Sequence, residues 1–149
     1  MIQQQPMDPW AWEERGHAYG LLGQRDRSLA DLNKAVSLAP NDDRLLRHTG
    51  WTLFNLREFK SALQFWLRAS EISGGKNGKD HYTVALGYWG VENLTTAAAY
   101  YDRAVAAEHS FGSWKTLEKR VSFWTDFEKH AIYEVFDAWR RGYKEQGEN

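Results

Sequence analysis

Five histidines, His17, His48, His81, His109 and His130, are the first residues to ask about, because imidazoles ligate metals and move protons near neutral pH. They are scattered, no two fall at i, i+4 on one helical face, and no His-Glu-x-x-His motif occurs. Without a carboxylate cluster beside them they read as structural or solvated side chains rather than metal ligands. The run Gly74-Gly75-Lys76-Asn77-Gly78-Lys79 has the composition of a phosphate loop. It lacks the GxxxxGK[ST] order and a strand before it, so it reads as a connection. Serines 28, 37, 61, 70, 73, 110, 113 and 122 have no nucleophile elbow around them. Cysteine is absent, which removes thiolate metal sites, cysteine nucleophiles and disulfides. No catalytic constellation, metal site or cofactor motif emerges, and the expectation is a non-enzyme.

Bulk properties narrow the partners. The chain has 149 residues, a formal charge of −1 and mixed charges, so no electrostatic footprint points to nucleic acid or an anionic membrane. No stretch approaches the ~18 apolar residues of a membrane span. The opening MIQQQPMDPW has no basic flank followed by an apolar run, so no signal peptide is read and a cytoplasmic location is expected. The unusual feature is eight tryptophans, several of them close to the aromatic stretch from Phe123 to Tyr143.

The elements that hold these aromatics repeat. Ala35, Ala69, Ala104 and Ala138 follow one another at intervals of 34, 35 and 34 residues. Seven residues before each stands a small residue: Ser28, Ala62, Ala97 and Ala131. Three residues before each stands a large one: Leu32, Trp66, Tyr101 and Val135. The front halves match as well, with Trp12, Gly16 and Tyr19 answered by Leu46, Gly50 and Leu53. Such a small–large–small stripe at helical spacing lets paired helices approach closely while the large residue fills the remaining space. Asp8 before Pro9 reads as a helix cap, Asp80 as a cap after the Gly-rich connection, and Thr125–Glu128 as a capping box.

Trp12, Gly16, Tyr19, Ser28, Leu32, Ala35 and Pro40 resemble the tetratricopeptide repeat, a helix–turn–helix unit of 34 residues. Arg15 stands where leucine is usual, and the last two units are degenerate. The resemblance implies an all-α, right-handed superhelix of about four antiparallel helix pairs, an α-solenoid forming a single domain over 1–149. The repeats are expected at about 8–41, 42–75, 80–109 and 113–142. It further implies a non-catalytic scaffold or adaptor that binds a protein or peptide in a concave groove lined by the first helix of each pair. Carried over by register, the groove residues are Trp10, Glu13, His17, Arg44, Arg47, Trp51, Phe54 and Tyr88. Glu13 and His17 replace the Lys and Asn with which related domains clamp a terminal carboxylate, so that clamp is not expected.

A second stripe remains in the last helix: Ile132, Phe136, Trp139 and Tyr143. In an internal repeat these columns are covered by the next unit, and terminal repeats need a polar outer face. The alternative reading is therefore a self-assembling protein, or a dedicated secretion-type chaperone, using this apolar face, with a homodimer through the last helix as its simplest form.

Overall fold

Asp8 is extended (φ −89°, ψ 105°) and its Oδ1 accepts from Trp10 N at 3.0 Å, with Pro9 at the first helical position. That cap opens the first of eight α-helices in a computed structural model that describes residues 7–147, with side chains to position 142. They are α1 Pro9–Leu21, α2 Arg25–Leu38, α3 Asp43–Asn55, α4 Phe59–Ser73, α5 Gly78–Gly90, α6 Leu94–Ala107, α7 Trp114–Arg120 and α8 Asp126–Gly147. A 3-10 turn, His109–Gly112, precedes α7. No strand occurs among the described residues, and the fold is an all-α helical repeat.

The helices pair as α1 with α2, α3 with α4 and α5 with α6, while α8 packs on α6. The described residues form two compact units that divide after Ser73. Within each, the repeated columns are the core. Ser28, Ala62, Ala97 and Ala131 are fully buried, and Leu32, Trp66, Tyr101 and Val135 are at most 1% exposed. Ala35, Ala69 and Ala104 are fully buried too, whereas Ala138 in the last helix is half-buried.

Glycine is required where helices touch. A Cβ on Gly50 would stand 2.4 Å from Trp66 Nε1, inside any van der Waals contact. The indole N–H there donates to Arg47 O at 3.1 Å, tying α4 to α3. In α1, Arg15 occupies the column where leucine was expected from the resemblance. It is accommodated by a bidentate ion pair, Nε to Asp31 Oδ2 at 2.7 Å and Nη2 to Oδ1 at 2.9 Å, with Asp31 only 4% exposed. Its guanidinium also lies over the Trp12 and Tyr19 rings, at 5.3 and 5.5 Å.

The turn inside each of the first three pairs uses the same backbone. Gly23 (φ 74°), Arg57 (φ 66°) and Glu92 (φ 62°) are left-handed, 34 and 35 residues apart. Glycine adopts this conformation freely, but a side chain there costs about 1–2 kcal/mol. Glu92→Gly is expected to stabilise the second unit by about 0.5 kcal/mol, the relieved strain exceeding the added entropy of the unfolded chain. Thermal denaturation checks this, and an unchanged or lower midpoint would contradict it.

Two local expectations are revised. Asp80 does not cap α5. Asn77 does, its Oδ1 accepting from Asp80 N at 2.9 Å, so the helix begins inside the Gly-rich connection and Asp80 is buried in the first turn. Thr125 and Glu128 do form the reciprocal capping box, Thr125 N to Glu128 Oε1 at 2.8 Å and Glu128 N to Thr125 Oγ1 at 3.2 Å. The helix they open is 22 residues long, against seven for α7.

Candidate functional site

The residues singled out on α1 and α3 come together as one face of the first unit. Trp10, Glu13 and His17 recur at helical spacing along α1, and Arg44, Arg47, Trp51 and Asn55 do so along α3. Two contacts join the helices. The Trp10 ring meets His48 edge-on at 5.3 Å, and His17 Nδ1 lies 3.1 Å from Thr52 Oγ1. His17, Arg44, His48 and Asn55 are exposed, while Trp10, Arg47 and Trp51 are half-buried.

Charge on this face is uneven. Arg44 has no ion pair among the described residues, whereas Arg47 Nη2 pairs with Asp43 Oδ2 at 3.3 Å. Trp51 is anchored on one side by edge-on contacts with Trp66 at 5.2 Å and Phe54 at 6.1 Å. Asn55 Nδ2 donates to Trp51 O at 3.0 Å. The face therefore carries two packed indoles and, seven residues before Trp51 on α3, an exposed guanidinium.

Two assignments on this face change. Phe54 is fully buried, packed on Phe59 and Trp66 at 5.3 and 5.5 Å, and belongs to the core rather than a groove. It lies four residues after Gly50, on the side that faces α4. Glu13 is only 6% exposed and forms the floor of the face, not its surface. Burial raises its carboxyl above the ordinary value of 4.5, while His48 and His17 pull it back down. With the folded value raised, the folded chain holds a proton that the unfolded chain gives up as pH climbs past about 4.5. Stability from this group thus falls with rising pH in that window. Glu13→Gln is expected to raise the melting temperature at pH 7 and to leave it unchanged well below pH 4, where both states are protonated. Equal melting of the two proteins at pH 7 would contradict the burial.

Tyr88 lies in α5 of the second unit, stacked on Tyr100 at 5.3 Å and 23°. The stripe expected to await a second chain is covered by its own. Ile132 is 1% and Phe136 4% exposed. Phe136 packs on Tyr101 of α6 and Trp114 of α7, at 6.0 and 5.4 Å, and Trp139 packs on Tyr101 at 5.6 Å. Trp139 Nε1 donates to Asp102 Oδ1 at 2.9 Å. The physical reason is local: α8 lies against α6, and the short α7 brings Trp114 onto α8 as well. The side chain of Tyr143 lies outside the described residues.

His48 and Thr52 are not among the groove residues expected from the sequence, yet they join α1 to α3. The available signal was their spacing, since Arg44, His48, Trp51 and Asn55 follow one another by four, three and four residues. Among the described residues no group of three His, Cys, Asp or Glu is placed to hold a metal, and no helix is long and apolar enough to cross a membrane.

Residues 11–42, which span α1, its turn and α2, match the sequence model of the tetratricopeptide repeat. That helix pair is similar to one tetratricopeptide repeat. Tetratricopeptide repeat protein 37 of Xenopus laevis is 31% identical over 64 residues, which is 43% of this chain but 4% of that protein. Among solved structures, MamA superposes with a TM-score of 0.63 at 14% identity, covering 99% of this chain and 85% of that one. A MamA double mutant gives 0.63 at 18% identity over 94% and 80%. YrrB, described as a tetratricopeptide-repeat protein with an unusual peptide-binding site, gives 0.57 at 19% identity over 94% and 71%. At these identities the likeness is one of fold, and it agrees with the paired helices described above.

Proposed function

We propose that the chain is a non-catalytic interaction module that binds a partner peptide on the α1–α3 face of its first unit. The observation that carries this reading is the exposed Arg44 on the same side of α3 as His48 and Trp51, with the Trp10 ring against His48 and Trp51 packed on Trp66. Tryptophan and arginine together dominate binding energy at protein interfaces, and indoles already fixed lose little entropy on binding. YrrB, whose fold is similar, is described by its peptide-binding site, which supports the same use of the fold. The complementary segment has apolar side chains for the two indoles and an acidic residue for Arg44. A self-assembling reading rested on Ile132, Phe136 and Trp139, and those side chains are packed within the chain.

The test uses substitutions that spare the core. The Trp51 ring packs on Trp66, so changing it would disturb the core, and the half-buried Arg47 is already paired with Asp43. Arg44 and His48 are exposed. Tagged wild-type chain and the Arg44→Glu, His48→Ala double variant are compared in affinity capture from cell extract, with circular dichroism and melting as controls. The expected result is a set of proteins retained by the wild type and depleted about tenfold or more by the variant, at unchanged helical content. Equal recovery by both chains would sink the assignment to this face.

A further inference from the structure

A separate recess lies within the second unit, with a volume of about 270 Å3. Its walls combine the aliphatic Leu117, Val121 and Ile132 with three rings, Tyr82 of α5, Phe111 of the 3-10 turn and Trp124 of the α7–α8 turn, with Tyr82 5.4 Å from Phe111 and 5.8 Å from Trp124. Phe123 stands at the edge, 83% exposed, and Lys79 and Arg120 add two cations to a lining that includes no carboxylate. Arg120 is held in place. Its Nη1 donates to Glu108 and, at 3.0 Å, to Ser110 Oγ, and its guanidinium lies 4.4 Å over the Phe111 ring. The hydrogen bond from Arg120 keeps the Glu108 carboxyl below its ordinary range, and Lys79 adds to the effect. Glu108 offsets one of the two cations, so the rim keeps a net positive charge, and Arg120 retains other N–H donors.

The size and chemistry select an occupant. The volume falls just below the ~300–1,000 Å3 of pockets for drug-sized ligands, which suits a single large side chain. Aromatic walls favour a ring packed edge-on or offset, and the cationic rim favours a carboxylate beside it. Phe123 extends the apolar surface past the recess, where a bound chain would continue and a free small acid would not. We propose that this recess docks a peptide segment in which an aromatic side chain is followed directly by an acidic residue. The ring enters between Tyr82, Phe111 and Trp124, Phe123 covers the adjoining backbone, and the carboxylate meets Lys79 and Arg120.

NMR titration of the isotope-labelled full chain tests this with three capped tetrapeptides, Gly-Phe-Glu-Gly, Gly-Phe-Lys-Gly and Gly-Ser-Glu-Gly, and with phenylpropionate. The expected result is saturable shifts at Tyr82, Phe123 and the Trp124 indole with the Phe-Glu peptide. It should bind about tenfold more tightly than either other peptide or the small acid. Lys79→Glu and Phe123→Ser, both at exposed positions, are each expected to weaken it about tenfold while the melting temperature stays unchanged. Absence of saturable shifts at these residues, equal binding of the Phe-Lys peptide, unaltered affinity of Lys79→Glu, or equally tight phenylpropionate would each overturn the proposal.

Discussion

Trp66→Ala is expected to destabilise the first unit by about 4 kcal/mol, within the range for a core aromatic. The indole is fully buried, meets Trp51 and Phe54, and its N–H satisfies Arg47 O. Removing it opens a cavity and leaves that carbonyl without its indole donor, so two costs add. The reverse substitution probes the same contact. Gly50→Ala introduces a Cβ 2.4 Å from Trp66 Nε1, and overpacking of this kind costs about 1–3 kcal/mol. The two are coupled: once Trp66 is alanine, Gly50→Ala should cost much less than in the wild type. Denaturant unfolding of the four proteins measures this. Additive penalties would show that the helices do not meet at Gly50.

Tyr101→Ala is expected to cost the second unit about 4 kcal/mol by the same argument of core volume. Tyr101 holds the column of Trp66 one repeat later, fully buried among Phe111, Phe136 and Trp139. Its hydroxyl donates to Phe111 O at 2.7 Å, fixing the 3-10 turn. Tyr101→Phe keeps the ring and loses only that bond, so its penalty should be about 1 kcal/mol. Burial pushes the phenol well above its ordinary value of 10.0, with Arg120 acting weakly the other way. Above pH 10 the unfolded chain therefore loses a proton that the folded chain retains, and stability falls as pH rises. Tyr101→Phe should reduce that alkaline loss. An equal alkaline slope in both proteins would contradict the burial of the hydroxyl.

Those two residues were readable from the sequence because the repeat places them. A column that recurs at 34 or 35 residues is fixed by packing in each copy, so Leu32, Trp66, Tyr101 and Val135 identify themselves as core. Residues beside the columns are harder to place. Phe54 and Trp51 are three positions apart on one helix, yet one is fully buried and the other half-buried. Counting along a helix separates faces by about 100° per residue, too coarse to tell a core edge from a binding edge. Ile132 and Phe136 read as uncovered because in an internal repeat those columns are covered by the next unit. The seven-residue α7 after a 3-10 turn changes what lies on α8, and neither length carries a strong signal in the sequence. The recess around Tyr82 and Trp124 was invisible for a further reason: its walls come from four separate segments.

The central claim is that the α1–α3 face is where a partner segment binds. The most direct measurement is NMR shift mapping on the isotope-labelled chain with the segment of a captured partner that suffices for binding. The account predicts that the largest shifts fall on Trp10, Arg44, His48 and Trp51, with the Trp66 indole moving little because it is buried beneath them. Shifts confined to residues outside α1 and α3, with those four unmoved at saturation, would contradict it.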